Sequence, residues 1–192
     1  MRAVVVVLFL GAVAGAVATR SDSGQSAPER LVLRDEFARR VDAYVALHRQ
    51  LEQLLPPEIV TRDLEALFAP RRAMNREMRM ARREARQGDI FTPALEDYFR
   101  TVIAETLRRE RFVDLLATIE DQNTVHVRAK VNGDYPAGRS VPAMLPSLLE
   151  ALPPLPREVR YSFVGPDLIL WDLHAGLIVD YVRQAVPLLT TD

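Results

Sequence analysis

Cysteine is absent from this 192-residue chain, lysine and tryptophan occur once each, and there are three histidines. Without cysteine there can be no disulfide framework, cysteine-ligated zinc, iron–sulfur centre, lipid anchor through cysteine or thiol catalysis. The lone lysine, Lys130, stands against 24 arginines. Such a bias fits a GC-rich genome, so an arginine excess by itself carries no functional meaning. No two of His48, His126 and His174 stand at metal-ligand spacing, and no H-E-x-x-H occurs. On this reading the chain needs no metal and no cofactor. Neither G-x-G-x-x-G nor a P-loop is present, and Gly138-Arg139-Ser140-Val141 fails the G-x-S-x-G pattern. Net charge is −1, from 25 basic and 26 acidic residues. That balance excludes a basic nucleic-acid binder by bulk charge.

What is present is globular composition, 48% hydrophobic and 27% charged. The length suits one domain. The chain opens with Met1-Arg2, an apolar run from Ala3 to Val13, and small residues at Ala16-Val17-Ala18. This is the tripartite pattern of a secretory signal, with cleavage expected after Ala18; an uncleaved anchor is the alternative. Spanning a bilayer takes roughly 20 apolar residues, and Ala3–Ala18 is shorter and contains Gly11 and Gly15. Residues 19–30 read as a polar, flexible leader. The remainder, 31–187, reads as one α+β domain, helical over 31–122 and β-rich over 123–187, with a tail at 188–192.

From Leu33 to Leu55, apolar residues recur in steps of three and four, with His48 on the same face. Pro56-Pro57 ends that helix. Thr61 can cap a short turn carrying Leu64, Leu67 and Phe68. Pro70 then suits the first position of a second helix running to Gln87, with Gly88 as its stop. Thr92-Pro93 opens a third, whose stripe is Leu95, Tyr98, Phe99, Val102, Ile103 and Leu107. Phe112 to Ile119 continue on a rotated face. Val125 to Val131 alternate with polar residues, the period of a half-buried strand. Pro142–Leu152 holds a short helix, with Leu145, Leu148, Leu149 and Leu152 on one side. Pro153–Pro156 is a stiff connector. Val159–Val164, Leu168–Leu173 and Leu177–Val182 form an antiparallel meander. The fold class is therefore α+β, N-terminal helices packed on a small antiparallel C-terminal sheet.

Three segments, GDIFTP (Gly88–Pro93), LLEALPPLP (Leu148–Pro156) and YSFVGPDLILWDLHAGLIVDYV (Tyr161–Val182), resemble a small exported bacterial protein family of unknown function. The resemblance covers about half of the mature chain. It implies export, and brings no activity, cofactor or catalytic residue with it.

Two sets of polar residues are candidates for function. Between Pro70 and Gly88 stand Arg71, Arg72, Arg76, Arg79, Arg82, Arg83 and Arg86. On one helix they fall within roughly a 140° arc, with Met74 and Met78 on a separate stripe. The only acids there, Glu77 and Glu84, have no arginine three or four residues away. Arg72, Arg76, Arg79, Arg83 and Arg86 form the candidate face for an acidic protein or an anionic envelope component, because guanidinium forks match carboxylate and phosphate. The second set is Asp172, His174 and Asp180, the one carboxylate–histidine cluster close in sequence, suited to a small hydrolase. The expected role is a non-catalytic exported binding or assembly protein that contacts membrane only through its signal segment or peripherally, with the hydrolase as alternative. His48 reads as a hydrogen-bonded core histidine and Trp171 as core packing.

Overall fold

A computed structural model describes residues 25–56, 62–109, 128–135 and 144–186. The expected signal segment, Phe112–Ile119, His126 and the tail lie outside them. The order of elements is α1 (Ala27–Glu52), α2 (Leu64–Ala81), α3 (Pro93–Arg109), α4 (Pro146–Ala151), β1 (Val159–Val164), β2 (Asp167–Asp172) and β3 (Leu177–Val182). The three strands form one antiparallel sheet in the order β1-β2-β3. The protein is α+β, helices first and sheet last. Among the described residues no helix is long and apolar enough to cross a membrane.

The leader ends sooner than the sequence suggests. Ser26 caps α1 and accepts from the Glu29 backbone, while the Glu29 side chain reaches back to the Ser26 backbone. This reciprocal capping box fixes the first turn, so residues 27–30 are helical. The expected face of α1 is buried: Leu33, Phe37, Val41, Tyr44, Val45 and His48. All six stripe residues of α3 are buried as well. Phe37 lies against Phe91, Phe99 and Tyr161, with ring centroids 5.5, 4.9 and 6.2 Å apart. This aromatic group joins α1, the loop before α3, α3 itself and β1.

Helix α2 departs from expectation at both ends. It starts at Leu64, because Asp63 accepts from the Glu65 backbone at 3.0 Å. That cap absorbs the expected turn and leaves Pro70 inside the helix. It stops at Ala81 rather than Gln87. There the Asn132 amide donates to the Arg82 carbonyl at 2.6 Å, while Arg82 Nη1 donates to Asn132 Oδ1 at 3.2 Å. The Arg82 guanidinium is drawn inward, 4.9 Å above the Tyr44 ring and 3.1 Å from the Val179 carbonyl. Met74 and Met78 are fully buried, as their separate stripe requires.

The sheet is buried on both faces. Leu168, Leu170, Leu177, Val179 and Val182 join the core beneath the helices. Ile169, Trp171, Ile178 and Tyr181 form a second cluster with Ala129 and Tyr135. Trp171 is core, stacked on Tyr135 at 4.1 Å. The expected strand over 125–131 is corrected where it is described. Ala129 is buried between exposed Arg128 and Lys130, so the alternation is real. No ladder forms at 128–131, because the chain turns at Asn132, which has φ 59°. Pairing resumes beyond it, with Asn132 N–H on the Ile178 carbonyl and Tyr135 N–H on that of Gly176. Helix α4 begins at Pro146, buries Leu148 and Leu152, and leaves Leu149 half exposed. Leu149 therefore does not share the side of Leu148 and Leu152, as the sequence suggested.

β3 carries one irregularity. Leu170 pairs with Asp180 while Trp171 pairs with Ile178, so Val179 is an extra, bulged residue. The bulge places Val179 and Asp180 both toward the helices.

Candidate functional site: a carboxylate hub and an arginine cavity

Asp172 ends β2, is fully buried and is met by three donors. Its Oδ2 accepts from the Tyr44 hydroxyl at 2.6 Å and lies 2.6 Å from His48 Nδ1, while Oδ1 accepts from Ala175 N–H at 2.7 Å. Tyr44 and His48 are four residues apart, so α1 presents both on one face. Burial pushes the Tyr44 hydroxyl well above its usual range, and the charge and hydrogen bond of Asp172 push the same way. Tyr44 therefore stays protonated and donates. Burial pulls the His48 imidazole down, but the hydrogen bond and charge of Asp172, with help from Glu52 and Glu158, outweigh it and raise its pKa.

One turn further along α1, Glu52 Oε1 lies 3.2 Å from Nδ1 of His174, which sits in the turn between β2 and β3. The His48 and His174 rings meet edge on, with centroids 5.8 Å apart. His48, Glu52 and His174 each bring one donor atom to within 4.8 Å of the other two.

Asp180 serves another role. It accepts from the backbone N–H groups of Ile90 and Phe91 at 2.9 Å each, Gly88 at 3.2 Å and Tyr181 at 2.8 Å. Burial raises its pKa, opposed by these same hydrogen bonds. The carboxylate thus clasps the loop before α3, in which Gly88 takes φ 94°. Of the second candidate set, Asp172 and His174 therefore share a neighbourhood, whereas Asp180 is committed to a loop.

The first candidate set is split by the early end of α2. Arg72, Arg76 and Arg79 are helical, whereas Arg83 and Arg86 lie beyond it. Arg72 pairs with Glu65 at 2.7 Å, Arg76 with Glu77 at 3.1 Å, Arg79 with Asp134 at 2.6 Å and Arg83 with Glu84 at 3.4 Å. Glu77 and Glu84 therefore do reach arginines, as next neighbours in sequence. These pairs are largely solvated and contribute little to stability. Arg86 is exposed, and its backbone N–H donates to Asp89.

The notable cation is Arg71, outside the expected face. Together with Phe68, Arg72, Asn75, Asp134, Tyr135, Ala175 and Gly176 it lines an open pocket of about 430 Å³, so of the expected face Arg72 alone reaches it. Its guanidinium lies where a side chain on residue 176 would be, and Gly176 has φ 66°. Glycine suits both conditions, since a larger residue would strain the backbone and push the Arg71 guanidinium aside. Among the described residues Arg71 has no ion-pair partner. Burial disfavours the ionised Asp134 carboxyl, but hydrogen bonds from Arg79 and Asn75 and the charges of Arg79 and Arg71 bring it below its usual range.

Tyr44, His48 and Glu52 were invisible as site residues, because the chain separates them from Asp172 by more than a hundred positions. The available signal was two polar-tipped residues, Tyr44 and His48, on an otherwise apolar helical face. No protein-family model, curated protein or solved structure matches the chain.

Proposed function

We propose that this is an exported binding protein rather than a catalyst, and that it receives a carboxylate or phosphate group at Arg71. The observation that supports this reading is a half-buried guanidinium, without an ion-pair partner among the described residues, at the wall of a cavity large enough for a ligand group. The source of that group is an acidic partner protein or an anionic component of the envelope. The hydrolase alternative fares worse. Asp172 and Asp180 are both fully buried, and their oxygens are occupied by donors from the fold. A general acid or base has to reach its substrate.

Binding is tested by co-sedimentation with anionic and neutral vesicles, and by retention on polyglutamate, at low and high salt. The full-length chain should bind an anionic material at low salt and release it as salt screens the contact over about 8–10 Å. Arg71→Glu should abolish binding, while Arg76→Glu/Arg83→Glu should weaken it only slightly. Indifference of the unaltered protein to all anionic materials would defeat the proposal.

Export has its own test. Intact-mass measurement of protein recovered from its native envelope should show a chain starting at Thr19. A species retaining Met1 would exclude cleavage, and a cytoplasmic location would exclude export.

A further inference from the structure

We propose that His48, Glu52 and His174 form a site for one divalent transition-metal ion, with zinc the best fit. The absence of metal-ligand spacing in the sequence argued for no metal at all. That argument considers neighbours along the chain, and these ligands are assembled from α1 and the β2–β3 turn.

Two imidazoles and one carboxylate are a donor set that zinc and its neighbours accept, whereas calcium and magnesium prefer oxygen alone. The separations are compatible. Two ligands on a tetrahedral zinc, each about 2.0–2.1 Å from it, are roughly 3.3 Å apart. His174 Nδ1 and Glu52 Oε1 are already 3.2 Å apart. One donor atom of each residue lies within 4.8 Å of the other two, and closing such a set to zinc spacing takes a shift of about 1.5 Å, plus whatever ring turn brings His48 Nε2 to the ion. Glu52 is best placed to supply it: its side chain is 45% exposed, against 20% for His174 and 1% for His48.

His48 is the fixed point of the site. Asp172 occupies Nδ1, which leaves Nε2 as the nitrogen for an ion. A carboxylate holding the far nitrogen is the usual support of a metal-bound histidine, since it sets the tautomer and ring orientation. Here that carboxylate is itself fixed by Tyr44 and by the backbone of Ala175. Ala175 follows His174 directly, so the same carboxylate also anchors the turn that brings the third ligand. Three protein ligands leave a fourth position for water or for a ligand atom. The inference is independent of Arg71: either can fail while the other stands.

The test uses the full chain without a histidine tag, stripped by a chelator. Titration calorimetry with zinc chloride should give one ion per chain. Cobalt(II) should produce the visible absorption of a low-coordinate N/O site. Magnesium and calcium at large excess should not compete. His174→Ala should weaken zinc binding by at least roughly 100-fold, beyond the 10–100-fold typical of a supporting residue. Glu52→Gln, at the exposed end of α1, is the second variant and should weaken it by about tenfold or more, within or above that range. Circular dichroism checks that each variant folds. Absence of zinc binding by the unaltered chain overturns the site. So does a folded His174→Ala or Glu52→Gln protein that binds zinc as tightly as the original. If His174→Ala does not fold, the Glu52→Gln result decides.

Discussion

Replacing Asp172 by alanine should cost about 3–5 kcal/mol, the loss expected when one partner of a buried, hydrogen-bonded charge pair is removed. The change strips the acceptor from three donors at once: the Tyr44 hydroxyl, His48 Nδ1 and the Ala175 amide. Two of these belong to side chains sealed beneath the sheet, where water cannot replace the lost partner. For a chain of this size the melting temperature should fall by roughly 6–20 °C, at about 2–4 °C per kcal/mol. Differential scanning calorimetry on chelated protein measures it. A fall of only a degree or two would mean that the hub is dispensable.

The same variant should change the pH profile. His48 has a raised pKa in the fold, so its protonation stabilises the native state. That contribution is complete below the ordinary histidine range and is lost as pH rises through the raised value. Without Asp172 the imidazolium keeps its burial penalty and loses its main support. The gain in stability on mild acidification should therefore vanish or change sign in Asp172→Ala. Denaturant unfolding from pH 5 to 8 gives the comparison, and parallel curves for the two proteins would contradict it.

Asp180→Ala should be nearly as costly, at about 3–4 kcal/mol, because three loop amides and one strand amide lose their shared acceptor. The damage should be local first. Phe91 sits between Phe37 and Phe99 in the aromatic group, and the Asp180 carboxylate holds its backbone there. Amide hydrogen exchange at Ile90 and Phe91 should accelerate well beyond that of the α1 core. Asparagine should only partly rescue, since its NH₂ offers donors where four donors already converge. Unchanged exchange at both residues would show that the loop holds itself.

Much of the fold was legible because its signals are local. The stripes of α1 and α3 and the meander of three short strands follow from the spacing of apolar residues and from turn residues at Gly165-Pro166 and His174–Gly176. The end of α2 was not legible. Asn132 terminates it from 50 positions away, and Gly88 looked like a sufficient stop. The start of α1 was missed for a simpler reason: Ser26 and Glu29 are a capping box, but they lie in a stretch whose composition reads as linker. The site divides the same way. Asp172 and His174 are neighbours in sequence and could be grouped. His48 and Glu52 join them only through tertiary packing. The arginines misled because a run of like residues assumes one continuous helix, whereas α2 ends among them.

The Asp172 hub also constrains the order in which this chain can fold. Tyr44 and His48 lie 128 and 124 residues ahead of the carboxylate that satisfies them, and Ile90 and Phe91 wait 90 and 89 residues for Asp180. The helices emerge first from the ribosome with their polar groups still wanting partners that belong to the final strands. Contacts of such long range form slowly, because closing the intervening loop costs entropy before any bond repays it. A nascent chain ending before β2 therefore lacks the acceptors that Tyr44, His48, Ile90 and Phe91 use in the fold.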